Sequence, residues 1–237
     1  MPMDEDLTFS VIIPAAGVGV RTGMPVPKPW LDLEGEPMVV RTLRKFIGLP
    51  GLQKVALAVL PEEQQQRQDE IAHYDLPMEF VFCGGGNRRQ DTVLAALESL
   101  KLDDDDLVLV HDAARPFVSP ALILEVARLA RFNRAAIAAV QSEDTIKEIG
   151  ANGMISSTPP RERYMQAQTP QAMVAGILRR GLALADERGI ELTDDAGAAE
   201  LLGFKVTAVA GRRSNFKITT AEDLALARFL LREGTQR

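Results

Sequence analysis

Cysteine, histidine and positive charge are all scarce in this sequence. It has one cysteine and two histidines among 237 residues, and 27 Lys and Arg against 33 Asp and Glu leave a net charge of −6. A single cysteine excludes an intramolecular disulfide and a zinc site built from cysteines. Nucleic acids and anionic membranes bind basic surfaces, so neither is an expected partner.

Long hydrophobic runs are also missing. No apolar stretch could span a bilayer, and the first six residues, MPMDED, lack the basic and apolar regions of a signal peptide. We therefore expect a cytoplasmic protein that does not bind membranes. The length suits one domain over residues 1–237.

Apolar strand-like runs alternate with helical stretches along the chain. This alternation predicts an α/β fold in which a mostly parallel sheet is covered by helices on both faces. Thr219 and Glu222 have the spacing of a capping box ahead of the last helix. The expected strands are 9–14, 54–60, 78–83, 107–111, 135–140 and 205–209, and the expected helices are 38–47, 62–73, 91–100, 120–131 and 223–231.

One segment, 145–168, breaks this alternation. Its Asn152-Gly153 pair is a strong hairpin turn signal, and 154–158 can form the returning strand. A two-stranded hairpin is marginally stable in water by itself, so it must pack on something. We expect it to pack on a partner subunit; the alternative is a surface loop.

The first expected strand runs into a small-residue turn. Gly17 and Gly19 let the backbone approach a ligand closely, and Arg21 and Lys28 can converge above that turn. Two cations beside backbone N–H groups favour a polyphosphate. The P-loop motif GxxxxGK(S/T) is absent. The dinucleotide fingerprint does not fit either, since Thr22 stands in place of its third glycine. The alternative is an ordinary loop with solvated cations.

A second polar turn follows the strand 107–111, in the sequence HDAARP. Asp112 stands where the strand ends, and ligands of open α/β sheets bind at that edge. A carboxylate facing bound phosphates suits Mg²⁺, which takes few protein carboxylates and several phosphate oxygens. The alternative is a turn or capping aspartate. His111 is interpreted as structural, because no partner motif accompanies it.

Three consecutive glycines, at 84–86, follow another expected strand. They allow backbone groups to line a flat ligand such as a base, with Asn87 and Thr92 adding hydrogen bonds. A flexible connector is the alternative. Lys217, beside the last expected helix, is either a further site cation or a surface lysine. The acidic run at 103–106 is interpreted as a solvated turn between a helix and a strand.

Taken together, these motifs resemble those of sugar-phosphate nucleotidyltransferases. Within that superfamily the sequence is similar to the 2-C-methyl-D-erythritol 4-phosphate cytidylyltransferase family, and the matches run in order from residue 9 to 231. The matching stretches are PAAGVGVR with Pro27-Lys28, HDAARP, Asp144-Thr145, QTPQ at 168–171, Thr193-Asp194 and NFKIT at 215–219.

The resemblance implies a Rossmann-like fold with a protruding β-arm, at about 142–168, that embraces a second subunit in a homodimer. It also implies transfer of CMP from CTP to a polyol phosphate in the non-mevalonate isoprenoid pathway, with release of pyrophosphate. For the nucleotide it implies Pro14, Ala15, Ala16 and Gly17, with Gly86, Asn87 and Thr92 near cytosine. For the triphosphate and catalysis it implies Arg21, Lys28 and Lys217, and for Mg²⁺ or another divalent cation it implies Asp112. For the acceptor it implies Arg115 and Thr145, joined by Arg161, Thr169 and Thr193 of a partner subunit.

Three alternatives remain beside this hypothesis. A ribitol 5-phosphate cytidylyltransferase of the same build differs in its acceptor. A catalytically silent nucleotide-binding protein would not need Arg21, Lys28, Asp112, Arg115 and Lys217 together. A nicotinamide-dependent reductase is disfavoured by the missing third glycine.

Overall fold

The structure, a computed structural model, describes residues 7–17 and 27–235. It contains a seven-stranded sheet and a separate two-stranded sheet. The strands are β1 (Phe9–Pro14), β2 (Leu52–Val59), β3 (Glu79–Gly84), β4 (Leu107–Val110), β5 (Ala135–Gln141), β6 (Glu148–Ile149), β7 (Ile155–Ser157), β8 (Met165–Val174) and β9 (Thr207–Ala210).

Helices connect most of the strands. Short 3-10 turns at Lys28–Trp30, Arg44–Phe46, Pro61–Glu63 and Arg161–Arg163 supplement them. The α-helices are α1 (Met38–Leu43), α2 (Gln64–Ala72), α3 (Arg89–Leu100), α4 (Pro120–Asn133), α5 (Ala175–Glu187), α6 (Ala196–Leu201) and α7 (Ala221–Thr235). Among the residues that the structure describes, no helix is long and apolar enough to cross a membrane.

The strand order of the main sheet is β3-β2-β1-β4-β8-β5-β9. β8 is antiparallel to both of its neighbours, and the other pairs are parallel. The chain proceeds outward from β1 to β3 and then returns to the other side of β1 with β4. Strand order therefore reverses between β1 and β4, and this is the edge where open α/β sheets bind ligands.

The core lies on both faces of the sheet. In β1, Val11 and Ile13 belong to one buried cluster and Ile12 to the other, as alternation along a strand requires. α1, α2 and α4 supply the first cluster, whereas α3, α5 and α6 supply the second. These layers confirm the expected α/β fold with a mostly parallel sheet and helices on both faces.

β8 is a strand that the sequence-based prediction does not contain. The sequence places 165–168 in the hairpin segment and predicts no strand at 169–174, yet all ten residues form one strand between β4 and β5. Gln168, Thr169 and Gln171 are buried in it, and Pro170 interrupts its sequence. Polar residues and a proline argue against a central strand, and here tertiary pairing overrides that local preference.

The cap of α7 lies one residue later than predicted. The Asp223 carboxylate accepts hydrogen bonds from the backbone N–H groups of Thr219 and Thr220, at 2.7 and 2.9 Å. The Thr220 hydroxyl in turn accepts from the N–H of Asp223 at 3.2 Å. Thr220 and Asp223 therefore form the reciprocal cap, and the prediction of Thr219 with Glu222 was wrong.

The predicted hairpin is confirmed. β6 and β7 pair in antiparallel fashion around a turn at Gly150–Gly153, where Gly153 has a φ of +75°. Few of its apolar side chains are covered: Ile149 and Met154 are each 66% exposed, and Ile155 is 62% exposed. We refer to β6, β7 and their turn as the arm.

Candidate active site

A cavity of about 500 Å³ opens at the edge of the sheet where β1 and β4 diverge. The turn after β1, the glycine loop after β3 and the HDAAR turn after β4 form its walls, because parallel strands end at the same edge. Residues that line it are Pro14, Ala16, Gly17, Lys28, Pro29, Leu60, Gly86, Asn87, Arg88, Arg89, Thr92, Asp112, Ala113, Ala114 and Lys217. All the residues that the sequence predicts for the nucleotide and its base, except Ala15, therefore line this one cavity.

The glycine loop is held close to the turn after β1. A Cβ on Gly85 would lie 2.4 Å from the Cβ of Ala16, so only glycine permits this approach. The Thr92 hydroxyl accepts from the N–H of Gly86 at 3.0 Å and lies 3.2 Å from the Arg88 carbonyl. Thr92 thus fixes the loop conformation, and the exposed Asn87 lines the cavity beside it.

Asp112 is buried among three cations. Its carboxylate lies 2.8 Å from Arg89, 3.2 Å from Arg115 and 3.1 Å from Lys217. Burial by itself would raise the pKa of the Asp112 carboxyl, but the charges of Arg89, Lys217 and Arg115 lower it well below its usual range. The group is therefore ionised at neutral pH.

Arg89 was not predicted as a site residue. As the first residue of α3 it reaches Asp112 with one guanidinium nitrogen and Asp195 with another, at 2.8 and 2.7 Å. Asp195, which directly precedes α6, is buried. Burial raises the pKa of Asp195, and the charge of Arg89 opposes that rise in part. The pair joins α3 to the start of α6, and Arg89 also lines the cavity.

His111 is structural, as expected. Its Nε2 lies 3.2 Å from the carbonyl of Arg115, which can only accept, so Nε2 carries the proton. The neutral ring then accepts from the Thr169 hydroxyl through Nδ1 at 3.0 Å, and that hydroxyl accepts from the N–H of Asp112, also at 3.0 Å. This chain of hydrogen bonds fixes the HDAAR turn.

The buried ring of His111 predicts sensitivity to acid. Burial lowers its pKa from 6.5 to about 4, so below pH 6.5 the unfolded chain binds a proton that the folded chain does not. The free energy of unfolding should therefore fall by about 3 kcal/mol as the pH drops from 6.5 to about 4.

Chemical denaturation across this pH range would measure the effect. We expect His111→Gln to be less stable at neutral pH but to show a flatter dependence on pH. His73→Gln, at the exposed second histidine, is the matched control. An unchanged slope in His111→Gln would contradict the assignment.

A second cavity of about 380 Å³ adjoins the first. Arg115 and Lys217 line it, and Lys217 lines both cavities. Arg115 is held by Asp112 and by a 2.7 Å hydrogen bond to the carbonyl of Asn215. The other lining residues are Val140, Glu143, Asp144, Gln166, Ala167, Gln168, Arg213 and Phe216. Neither Arg213 nor Phe216 was singled out from the sequence.

Several predicted residues lie outside both linings. Ala15 is buried, and its N–H donates to Ala58. Thr145 is exposed directly after Asp144, whereas the Thr169 hydroxyl is engaged with His111 and Asp112 as described. Thr193 is exposed before Asp194. Arg161 is exposed near the arm and donates to the Glu143 carbonyl at 2.6 Å. The predicted Arg21 lies outside the described residues.

The single carboxylate of Asp112 suits a metal ion that takes most of its ligands from a bound substrate. No group of three or more His, Cys, Asp or Glu side chains among the described residues could hold a metal ion. Asp112 contributes one ionised carboxylate, and Mg²⁺ is commonly held by one or two carboxylates together with substrate phosphates. The residues present therefore fit a magnesium ion bound mostly by nucleotide oxygens.

Comparisons with known proteins agree on one family. Residues 9–233 match the family model described as 2-C-methyl-D-erythritol 4-phosphate cytidylyltransferase. A protein of that name from Acidobacterium capsulatum is 40% identical over 235 residues, with 96% of this chain and 98% of the relative covered. Its namesake from Rhodococcus jostii is 41% identical over 224 residues, with 94% and 95% covered.

Solved structures are similar as well. A 4-diphosphocytidyl-2C-methyl-D-erythritol synthase from Anaerococcus prevotii superposes with a TM-score of 0.83 at 30% identity, with 95% of this chain and 96% of the other covered. The 2-C-methyl-D-erythritol 4-phosphate cytidylyltransferase from Thermus thermophilus gives a TM-score of 0.76 at 34% identity, with 95% and 99% covered.

The family model and these relatives span the elements that form both cavities. They confirm the resemblance found in the sequence and the expectation of a nucleotidyltransferase enzyme. The chain belongs to the 2-C-methyl-D-erythritol 4-phosphate cytidylyltransferase family.

Proposed function

We propose that this protein transfers CMP from CTP to 2-C-methyl-D-erythritol 4-phosphate and releases pyrophosphate. The observation that carries the proposal is the pair of adjoining cavities that share Lys217. The larger cavity, called the nucleotide cavity from here on, would take the nucleotide, with cytosine at Gly86 and Asn87. The smaller one, which Arg115 lines, would take the phosphate of the acceptor.

The reaction needs positioning more than a base. An oxygen of the acceptor phosphate, already anionic at neutral pH, attacks the α-phosphorus of CTP. The bond from that phosphorus to the β-phosphate breaks, and pyrophosphate leaves. Negative charge spreads over the phosphate oxygens in the transition state, where Lys28 and Lys217 would stabilise it. Arg21 is proposed for the same role from the sequence.

Asp112 would hold a magnesium ion that accompanies the nucleotide. Bound there, the ion would neutralise charge on the phosphates. For this, Lys217 would exchange its contact with Asp112 for one with the substrates, and its side chain is 40% exposed and can move. Arg115 and Arg89 would continue to orient the carboxylate.

Pyrophosphate release tests the activity. We expect release with Mg²⁺, CTP and 2-C-methyl-D-erythritol 4-phosphate, and much less when UTP replaces CTP or ribitol 5-phosphate replaces the acceptor. Faster release with ribitol 5-phosphate would favour the alternative acceptor. No release with any pair would contradict the proposed activity.

We also propose that the protein acts as a homodimer joined through the arm. Ile149, Met154 and Ile155 are largely exposed, and a two-stranded hairpin is not stable by itself. Arg161 lines neither cavity of its own subunit and is proposed to reach the acceptor site of the partner subunit, together with Thr193, as the family resemblance implies. Thr169, which the resemblance also implies for that site, is buried in β8 and held by His111 and Asp112, so it is not given this role. A cytoplasmic location stays a prediction, which cell fractionation would test.

A charge on the arm should separate the subunits. We expect Ile155→Glu to elute as a monomer in gel filtration, because a glutamate would lose its hydration in the buried interface. Pyrophosphate release should fall with it. Phe132→Glu on α4 is the matched control, since Phe132 is 82% exposed and lies outside the arm. A dimeric Ile155→Glu protein, or a monomeric wild type, would contradict the arm-mediated dimer.

A further inference from the structure

Trp30, the only tryptophan, shares a short 3-10 turn with Lys28. Its side chain is buried in the core, whereas Lys28 and Pro29 line the nucleotide cavity. The N–H of Trp30 donates to the Pro27 carbonyl at 2.9 Å, and that of Leu31 donates to the Lys28 carbonyl at 3.2 Å. The position of the Lys28 backbone therefore depends on where the indole ring is held.

Arg67 of α2 holds that ring. Its guanidinium carbon lies 4.3 Å from the centroid of the Trp30 ring, and its side chain is only 8% exposed. Glu63 and Glu70 fix the guanidinium at 2.8 and 2.7 Å. A cation over an indole face is attracted most strongly when water is excluded, as it is here. The ring thus rests on a cation that two carboxylates keep in place.

α2 is also connected to the wall of the nucleotide cavity. The 3-10 turn Pro61–Glu63 joins the end of β2 to α2, and Leu60 before it lines the nucleotide cavity. Glu63, the last residue of that turn, is one of the two partners of Arg67. The contact between Arg67 and Trp30 therefore fixes the Lys28 turn relative to the cavity wall.

We propose that Arg67 is a positioning residue for nucleotidyl transfer, which holds Trp30 and thereby fixes the turn that presents Lys28 to the nucleotide. The proposal rests on the proposed function, because the position of Lys28 matters only if Lys28 acts on a bound nucleotide. Arg67 lines neither cavity, so it acts on turnover only through other residues, and we assign that effect to Trp30 and Lys28.

A purely structural role predicts a different outcome. Arg67 pairs with Glu63 and Glu70 at helical spacing, and such pairs stabilise a helix. If stabilising α2 were its only task, losing Arg67 would lower the free energy of unfolding but leave turnover by the folded protein unchanged. Any loss would also be the same with or without the Lys28 side chain.

The test is a double-mutant cycle on turnover at saturating CTP. We expect Arg67→Met to lower kcat about 10-fold, since a displacement of about 1 Å at a reacting group can cost up to about 100-fold. Arg67→Lys, which keeps the charge but not the planar fork, should lose less. In a Lys28→Ala background, Arg67→Met should cause no further loss. Arg128→Met is the matched control, because Arg128 forms a similar pair with Glu125 on α4 at 2.7 Å.

Fluorescence gives an independent measurement. Because Trp30 is the only tryptophan, its emission reports on the ring that Arg67 contacts. Arg67→Met should shift that emission without nucleotide, whereas Arg128→Met should not. Three results would each overturn the proposal. They are a wild-type kcat in folded Arg67→Met, an equal loss of kcat on adding Arg67→Met to the wild type and to Lys28→Ala, and an unshifted emission in Arg67→Met. Absence of pyrophosphate release by the wild type would instead overturn the proposed function, before any variant is compared.

Discussion

Lys28→Ala should reduce turnover about 100- to 1000-fold, which corresponds to about 2.7–4 kcal/mol of lost transition-state stabilisation. Lys28 lines the same cavity as Asp112 and Lys217. With the net charge of the chain at −6, only local cations can meet the charge that develops on the transferred phosphate. Pyrophosphate release at saturating CTP and acceptor would measure the loss.

The control for this experiment is Lys54→Ala. Lys54 lies near the start of β2, at the opposite end of the sheet, where it pairs with Glu79 at 3.4 Å. We expect that variant to keep wild-type turnover. Unfolding curves should show that Lys28→Ala remains folded, since a lysine at a cavity surface contributes little to packing. Near-normal turnover by folded Lys28→Ala would contradict the role assigned to Lys28.

Asp112→Asn should lower the free energy of unfolding by about 3 kcal/mol. Removing one partner from a buried ion pair typically costs about 3–5 kcal/mol, because the remaining charge is left buried without compensation. The lower end is expected here, since Lys217 is 40% exposed and can turn to water, and Arg89 keeps Asp195. Arg115 has no such relief, because its side chain is 11% exposed.

Denaturant unfolding with Asp186→Asn as the control would measure this effect. Asp186 also accepts from an arginine, Arg88, but is 67% exposed, so its loss should cost less than about 1 kcal/mol. Asp112→Asn should also release pyrophosphate far more slowly, since it loses the charge proposed to hold Mg²⁺. An Asp112→Asn protein as stable as Asp186→Asn would show that the three cations do not depend on this carboxylate.

The sequence predicts the part of the fold in which local pattern and burial agree. β1 has the expected bounds, Phe9–Pro14, because a nearly continuous apolar run of that length fits a strand buried on both faces. The same reasoning does not find β8, because that strand contains polar residues. Thr169 and Gln171 are acceptable inside the sheet only because His111, Asp112 and Asp194 satisfy their hydrogen bonds, and no local pattern shows those distant partners.

The site was predictable where a motif ends a strand. Pro14, Gly86 and Asp112 all follow or end expected strands, and the structure places them around one cavity. Arg89 was missed because the sequence offers two adjacent arginines with no sign of which turns inward. In the structure α3 begins at Arg89, which faces Asp112, whereas Arg88 pairs with Asp91.

The proposed reaction moves the α-phosphorus of CTP, as part of CMP, to the acceptor phosphate. Phosphorus NMR of a mixture of protein, Mg²⁺, CTP and 2-C-methyl-D-erythritol 4-phosphate tests it most directly, because each phosphorus is seen separately. We predict that the CTP signals and the acceptor phosphate signal disappear together, and that two coupled diphosphate signals and pyrophosphate appear in equal amounts. Unchanged CTP and acceptor signals in the presence of the folded protein would contradict the account.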